Sequence, residues 1–167
     1  MAEEQTVREL VRTASEAATA RRFDEAAKLL ETALGRDPKH LQALDLMGFV
    51  RFFQGRFAEA EQMCRRALDI APEHAYAHKG LGLCVAKQGH IDDGIASLRR
   101  AMQIEPHWGD PYWDLGVVLV EAGRLEEALD VLAQGGKMAP KRWEEFEKFA
   151  GQVRRRRDGL SNVVKGS

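Results

Sequence analysis

Apolar residues recur three and four positions apart along most of the chain, a spacing that predicts amphipathic helices. The pattern is also periodic, because prolines recur every 34 residues at Pro38, Pro72, Pro106 and Pro140. Glycines fall between the two helical stretches of three units, at Gly55, Gly89 and Gly123. Glycine favours turns and proline ends a helix. Each unit is therefore predicted to be a helix, a turn, a second helix and a break, and the units are predicted to stack because one pair cannot bury its apolar face alone.

Further columns of similar residues accompany the prolines. Small residues occupy three of these columns: Ala14, Gly48, Gly82 and Gly116; Ala26, Ala60, Gly94 and Ala128; Ala33, Ala67, Ala101 and Gly135. Small side chains allow two helices to approach closely. An apolar column just after the turn holds Phe23, Phe57, Ile91 and Leu125. We expect Phe57 to be buried between the two helices of its unit.

The segment YWDLGVVLVEAGRLEEALDVLAQGGKMAP has an aromatic residue, Leu-Gly, Gly, Ala and Pro at offsets that resemble a tetratricopeptide repeat. The resemblance implies an all-α fold, a right-handed superhelical array of helix-turn-helix repeats with a C-terminal capping helix. The expected divisions are an N-terminal tail at 1–6, repeats at 7–40, 41–74, 75–108 and 109–142, a capping helix at 143–158 and a flexible tail at 159–167. The first repeat matches least well, with Ala14 in place of glycine and Arg21 at its turn.

Composition narrows the function without identifying it. The 167 residues are 44% hydrophobic and carry a formal net charge of −1, which gives no general case for binding nucleic acid or a membrane surface. The N-terminus, MAEEQTVREL, lacks the apolar run of a signal peptide. The two cysteines form no metal-binding or disulfide motif. These features predict a reduced, soluble, cytoplasmic protein.

Candidate chemical groups are better explained as structural. Acidic residues recur where they would meet the positive end of each second helix: Asp24, Glu25, Glu59, Asp92, Asp93, Glu126 and Glu127. His74 and His78 have the spacing of two metal ligands on a helix, but no third ligand follows at a recognisable spacing. Cys64 and Cys84 occupy apolar packing columns. We predict no enzyme activity, no metal and no cofactor.

The basic run Arg154–Arg157 admits two interpretations. It is predicted to be a solvated helix end, where cations complement the negative end of the helix dipole. The alternative is a docking site for nucleic acid or an acidic protein.

In a tetratricopeptide array, the resemblance implies that the first helices line a concave groove. Places 2, 5, 9 and 12 of each first helix share one face, which we call the groove stripe. Its candidate binding residues are Asp45, Phe49, Phe52, Tyr76, Lys79, Leu83, Trp113 and Val117. Asp110 also falls on the groove stripe, but it precedes Pro111 and is predicted to be a helix N-cap. An apolar strip of this kind is a candidate for binding a protein or peptide, although the chain's own tail, a dimer partner or nothing at all are alternatives.

The predicted function is a protein–protein interaction adaptor or scaffold that holds a segment of a partner in this groove. The Lys, Asn and Arg clamp with which tetratricopeptide co-chaperones hold acidic chaperone tails is missing, because the corresponding places read Val11, Ser15, Leu46, Tyr76 and Gly80, or Asp45, Phe49, Gly80, Asp110 and Asp114. A narrower alternative is a chaperone for a secreted hydrophobic translocator. MGFVRFFQGRF is similar to the segment in which type III secretion chaperones keep aromatic residues. A homo-oligomer is compatible with either function.

Overall fold

The computed structural model describes the backbone of residues 2–165 and the side chains of residues 6–160. The described chain is helical, with short turns between helices. The helices are α1 (Ala2–Thr19), α2 (Phe23–Arg36), α3 (Leu41–Phe53), α4 (Phe57–Ile70), α5 (Ala75–Lys87), α6 (Ile91–Ile104), α7 (Gly109–Glu121), α8 (Leu125–Met138) and α9 (Trp143–Lys165), with a 3-10 turn at Pro140–Arg142. The predicted all-α class and the pairing of helices are confirmed.

The helices stack in chain order. Each helix packs against the next, and the first helices of successive pairs also touch, α1 with α3, α3 with α5 and α5 with α7. The first helices therefore form a continuous inner layer that carries the groove stripe. The arrangement is the array of stacked helix pairs that the sequence period predicts.

The turns within each pair share one backbone conformation. Gly55, Gly89 and Gly123 have φ angles of +75°, +93° and +75°. The first pair reaches the same conformation with Arg21, at φ +59°. Because a side chain is disfavoured at positive φ, the first repeat accepts backbone strain that the other three avoid.

Small residues bring the helices of a pair into close contact. A Cβ atom on Gly82 would lie 2.7 Å from Leu98 Cγ, and one on Gly94 would lie 2.7 Å from the Gly82 carbonyl oxygen. Neither position can accept a methyl group unless the helices separate. The small-residue columns therefore set the spacing between α5 and α6, as predicted.

Both ends of the chain differ from the expected divisions. α1 begins at Ala2 and includes most of the segment 1–6 that was expected to be a tail. α9 extends to Lys165, past the expected end of the capping helix at 158. The last two residues of the expected tail, 166–167, lie outside the described residues.

The start of α7 corrects one local prediction. Trp108, rather than Asp110, is the N-cap residue, and Asp110 lies inside the first turn. There its carboxylate pairs with the guanidinium of Arg142. The helix begins two residues earlier than the Asp-Pro signal suggests, since its first helical residue is Gly109 and not Pro111.

The acidic residues predicted near the start of the second helices lie in the first turns of α2, α4, α6 and α8. Three of them pair with the arginine that precedes the helix, for example Arg22 with Glu25 at 2.8 Å and Arg124 with Glu127 at 2.6 Å. These carboxylates complement the helix dipole and are already engaged.

Among the described residues, no helix combines the length and apolar character needed to cross a bilayer.

Candidate functional site

Seven of the eight predicted groove residues surround one cleft of about 360 Å³ on the inner layer. We call it the aromatic cleft. Its lining comes mainly from α3, α5 and α7: Asp45, Gly48, Phe49, Phe52, Phe53, Cys64, Tyr76, Lys79, Gly80, Leu83, Cys84, Lys87, Asp114 and Val117. The predicted residue that lies outside it is Trp113.

One wall of the aromatic cleft is a cluster of phenylalanine rings. Phe49 and Phe53 lie 4.6 Å apart between ring centroids, and Phe52 lies 5.6 Å from Phe53. Phe23 of α2 stacks on the far side of Phe53, at 5.7 Å. Phe49 is nevertheless 37% exposed and Phe53 is 51% exposed. The cluster therefore presents aromatic surface to solvent instead of closing into a core.

The cluster corrects the prediction for Phe57. This residue is half-buried, not fully buried, and its ring contacts Phe52 at 5.3 Å. The apolar column to which it belongs is fully buried only at Leu125. Phe57 supports the wall of the aromatic cleft from behind as well as packing between α3 and α4.

Another part of the lining, which we call the polar wall, carries Asp45, Lys79 and Asp114. The Asp45 carboxylate lies 2.7 Å from His74 Nε2, and Lys79 Nζ lies 3.5 Å from Asp114 Oδ2. Burial raises the pKa of Asp114, and the nearby ammonium of Lys79 only partly offsets this effect. Burial likewise raises the pKa of Asp45, which the hydrogen bond with His74 partly offsets. The carboxylates of Asp45 and Asp114 are thus both held in a partly buried environment.

Tyr76 lines the same cleft. Burial, and then the charge of Asp45, raises the pKa of Tyr76 to about 12, so the phenol stays protonated at neutral pH. Its ring stacks on Trp108 at 6.2 Å. Lys79 Nζ lies over both rings, 5.5 Å from Tyr76 and 5.2 Å from Trp108, within the range of cation–π attraction.

Cys64 and Cys84 form part of the floor of the aromatic cleft. Both are free thiols and both are buried, in agreement with the predicted packing role. A hydrogen bond with Cys84, together with burial, raises the pKa of Cys64, which leaves the thiol protonated and unreactive. Gly80 allows Cys64 to pack closely against α5, because a Cβ at position 80 would lie 2.8 Å from Cys64 Sγ.

The two histidines with metal-like spacing have separate partners. His78 occupies the column in which the last repeat has Tyr112. Its Nε2 lies 2.9 Å from the Pro72 carbonyl, and the Tyr112 hydroxyl donates to the Pro106 carbonyl at 3.0 Å. His78 therefore reproduces the contact that the aromatic residue makes. The side chains of residues 6–160 include no group of three or more His, Cys, Asp or Glu residues arranged to hold a metal ion.

Trp113 lies at the end of the groove stripe, where α9 covers it. Its ring contacts Phe149 at 4.8 Å and Phe146 at 5.8 Å, and the Arg142 guanidinium lies 5.9 Å from it. Phe146 itself is 1% exposed. Trp113 is therefore half-buried beneath the capping helix.

Place 5 of the first helices has a consistent role in the structure. In α3 it is Asp45, which contacts His74; in α5 it is Lys79, which contacts Asp114; in α7 it is Trp113, which contacts α9. His74 is the N-cap of α5, so each of these side chains contacts the next helix along the inner layer, the residue that caps it, or α9. This place joins neighbouring repeats, while Phe49 and Phe52 at places 9 and 12 line the aromatic cleft.

Sequence reasoning missed several lining residues of the aromatic cleft. Phe53 lies one residue beyond the groove stripe, and its place in an aromatic run was the available signal. Asp114 stands at place 6 of α7, where a charged residue on an otherwise apolar helix face was also visible. Whether Phe53 and Asp114 line the cleft depends on how α3 and α7 are oriented about their own axes. The spacing of apolar residues in the sequence does not determine this orientation.

The predicted solvated end of α9 makes ion pairs with neighbouring carboxylates. Arg154 pairs with Glu147 at 2.8 Å, and Arg157 pairs with Asp158 at 2.9 Å and with Glu126 of α8 at 3.3 Å. These exposed pairs are consistent with a solvated helix terminus and contribute little to stability.

Known structures resemble this fold at low sequence identity. An O-GlcNAc transferase from Thermobaculum terrenum is 22% identical with a TM-score of 0.76, over 82% of this chain but only 27% of the transferase. A thermophilic tetratricopeptide protein of Thermus thermophilus is 17% identical with a TM-score of 0.76, over 88% of this chain and 80% of its own. YrrB, described as a tetratricopeptide protein with an unusual peptide-binding site, is 20% identical with a TM-score of 0.65, over 95% and 84%.

No curated protein matches the chain significantly by sequence. The tetratricopeptide repeat profile, however, matches residues 17–84, 52–96 and 85–152, which together span most of the chain. The matched segments contain the turn glycines, the helix-ending prolines and all of the small-residue columns except Ala14. The chain belongs to the tetratricopeptide repeat family, whose repeats typically support protein–protein interactions rather than catalysis.

Proposed function

We propose that the protein is an interaction scaffold that holds a peptide segment of a partner protein in the aromatic cleft. The observation that carries this proposal is the cluster of phenylalanines, with Phe49 37% and Phe53 51% exposed at the edge of a cleft. Large aromatic rings at a concave surface are the side chains that most often dominate binding energy in protein interfaces. A scaffold in a larger assembly would use this surface to capture one segment of its partner.

The exposed rings are already ordered by one another, which favours binding. Phe53 contacts Phe23, Phe49 and Phe52. A ring that is held in place before binding loses less side-chain entropy when a partner covers it. YrrB, a protein of the same fold, is described as having a peptide-binding site, which makes the same use of this array reasonable.

The described residues of the capping helix cover Trp113 rather than the aromatic cleft. This position favours an external segment over the chain's own tail as the occupant. A second copy of the chain would be a homo-oligomeric version of the same interaction, and the experiment below distinguishes it by mass.

Site-specific photo-crosslinking tests the proposal. Benzoylphenylalanine is placed at Phe49 in the aromatic cleft or, as a matched control, at Ile70, an apolar residue 40% exposed on α4. In cells that express the protein, we expect a crosslinked species of defined mass from position 49 and none from position 70. Equal crosslinking at both positions, or none at position 49, would contradict the proposal.

The narrower alternative, a chaperone for a secreted hydrophobic translocator, uses the same surface. The fold and the aromatic cleft suit both functions, so no observation favours the narrower one. Identification of the crosslinked species by mass spectrometry separates the possibilities. A hydrophobic secreted protein would support the chaperone function, and a product of twice the chain's own mass would indicate self-association.

A further inference from the structure

The aromatic cleft has two chemically different walls. Phe49, Phe52, Leu83 and Val117 form an apolar wall, and the polar wall carries Asp45, Lys79 and Asp114. A segment that fills the cleft must satisfy both walls at once, because a polar group covered without a partner loses its interaction with water. The chemistry of the polar wall therefore restricts which segments can bind.

Asp114 is the least satisfied group of this wall. Among the described side chains, its Oδ2 is the one buried side-chain oxygen or nitrogen without a hydrogen bond. Lys79 Nζ lies 3.5 Å away but also sits over the rings of Tyr76 and Trp108. A single cation is thus shared between a carboxylate and two aromatic faces.

Two further carboxylates affect Tyr76, which lines the same cleft. The charges of Asp45 and Asp110, like that of Asp114, raise the pKa of Tyr76. Asp45 has His74 as its partner, and Asp110 has Arg142. Three carboxylates, one on α3 and two on α7, therefore contribute negative charge at this residue.

The cations at the cleft are already engaged. Lys79 faces Asp114, and Lys87 Nζ donates to both carboxylate oxygens of Glu121 at 2.9 Å. A carboxylate on an incoming segment would have to compete with these internal partners. A cation would instead meet carboxylates that are incompletely compensated.

We propose that the segment held in the aromatic cleft carries an apolar anchor residue with a lysine or arginine beside it. The anchor packs against Phe49, Phe52 and Leu83, and the cationic group reaches the carboxylates of Asp45 and Asp114. The selectivity rests on the proposed peptide-binding function and adds the chemistry of the peptide. An acidic residue at the same position is disfavoured.

A phage-displayed library of random 12-residue peptides, panned on the full-length protein, tests this selectivity. The selected peptides should be enriched in Leu, Phe or Trp next to Lys or Arg. Panning on Asp114→Asn should retain the apolar enrichment and lose much of the basic enrichment. Panning on Phe49→Ala should weaken the apolar enrichment. Asp69→Asn, at an exposed aspartate of α4 outside the cleft, is the matched control and should select the same peptides as the unmodified protein.

One selected peptide is then compared with its Lys-to-Ser version by isothermal titration calorimetry. We expect the loss of the cation to weaken binding by about tenfold, as for a partly dehydrated charged contact. The same change should have less than about a twofold effect on Asp114→Asn, because the contact has already been removed. Circular dichroism and a thermal melt establish that each variant is folded.

The outcomes separate the inference from the function on which it rests. Apolar peptides selected without basic residues, or with acidic ones, would overturn the inference and leave peptide binding intact. The inference would also be overturned if the Lys-to-Ser change weakened binding equally in the unmodified protein and in Asp114→Asn. No selection of any kind over the starting library would contradict the proposed function as well.

Discussion

The inner layer has aromatic residues in two regions that differ in what covers them. In the aromatic cleft, Phe49 and Phe53 keep 37% and 51% of their surface exposed. At the C-terminal end, Trp113 packs against Phe146 and Phe149 of the capping helix, and Phe146 is 1% exposed. The two regions look alike in the sequence, because each has aromatic residues on the first helix of a repeat.

The difference arises from the next element of the array. α9 follows α8 and supplies two phenylalanines to Trp113, so this end of the stripe is covered and half-buried. Between α3 and α5 the neighbouring side chains are small, with Gly48, Gly80 and Cys64 on the floor. The ring contacts of Phe49 and Phe53 come from α2 and α3 and none comes from α5, so their surface toward the cleft remains open. The same residue type thus stabilises the fold at one end and is available for binding in the middle.

Removal of a ring from the covered region should have the largest effect. Phe146→Ala truncates a side chain that is 1% exposed, and we expect the free energy of unfolding to fall by about 3–5 kcal/mol. Phe53→Ala, at 51% exposure, should lower it by only about 1 kcal/mol through lost ring contacts. Urea denaturation followed by circular dichroism measures both. Equal losses would remove the distinction between the two regions.

A pair of glycine substitutions gives the next largest contrast. A Cβ on Gly135 would lie 2.5 Å from Phe146 Cε1, so Gly135→Ala should destabilise the covered end by about 1–3 kcal/mol. Gly35 lies near the end of α2 with no atom within 4 Å of the corresponding position. Gly35→Ala should therefore stabilise the protein by about 0.5–1 kcal/mol, through helix propensity. A lower melting temperature for Gly35→Ala would contradict the open space that the structure shows around position 35.

Phe57 is intermediate between the two regions. Because it is half-buried and backs the aromatic cleft through Phe52, Phe57→Ala should lower the free energy of unfolding by about 1–2 kcal/mol, less than a core truncation. Thermal melts beside Phe146→Ala provide the comparison. A loss as large as that of Phe146→Ala would mean that the phenylalanine cluster is core.

The smallest expected effect is electrostatic. Burial holds the pKa of Asp114 in the folded protein above its value in the unfolded chain. At pH values above both of these pKa values, the ionised carboxylate therefore destabilises the folded protein. The folded protein regains this stability as the pH falls through the folded-state pKa of Asp114, because the carboxyl group is then protonated. Asp114→Asn should therefore raise the free energy of unfolding by up to about 1 kcal/mol at pH 7, as removal of an unsatisfied buried charge does, with a smaller gain at acid pH. Exposed Asp69→Asn serves as the control, and a loss of stability in Asp114→Asn at pH 7 would mean that its ion pair with Lys79 outweighs burial.

The repeat itself could be predicted from the sequence because the prolines, turn glycines and small columns act locally. Gly55, Gly89 and Gly123 adopt the positive φ that their position suggests. The exposure of individual aromatic residues could not be predicted in the same way. Phe57 was expected to be buried and is half-buried, and Trp113 was expected in the groove and lies beneath α9. Both depend on the side chains that the next helix supplies, which the periodicity within one repeat does not contain.

The most direct test of the account measures binding and stability together in one pair of variants. Phe49→Ala removes a ring from the aromatic cleft, and Trp113→Ala removes one from the covered end. With a peptide selected by the unmodified protein, Phe49→Ala should weaken binding by about 2 kcal/mol, close to a 30-fold rise in Kd, with little change in melting temperature. Trp113→Ala should lower the melting temperature and leave the Kd of the folded protein nearly unchanged. The opposite assignment, or equal effects of both variants on Kd and on stability, would contradict the claim that the open part of the groove stripe is the binding surface.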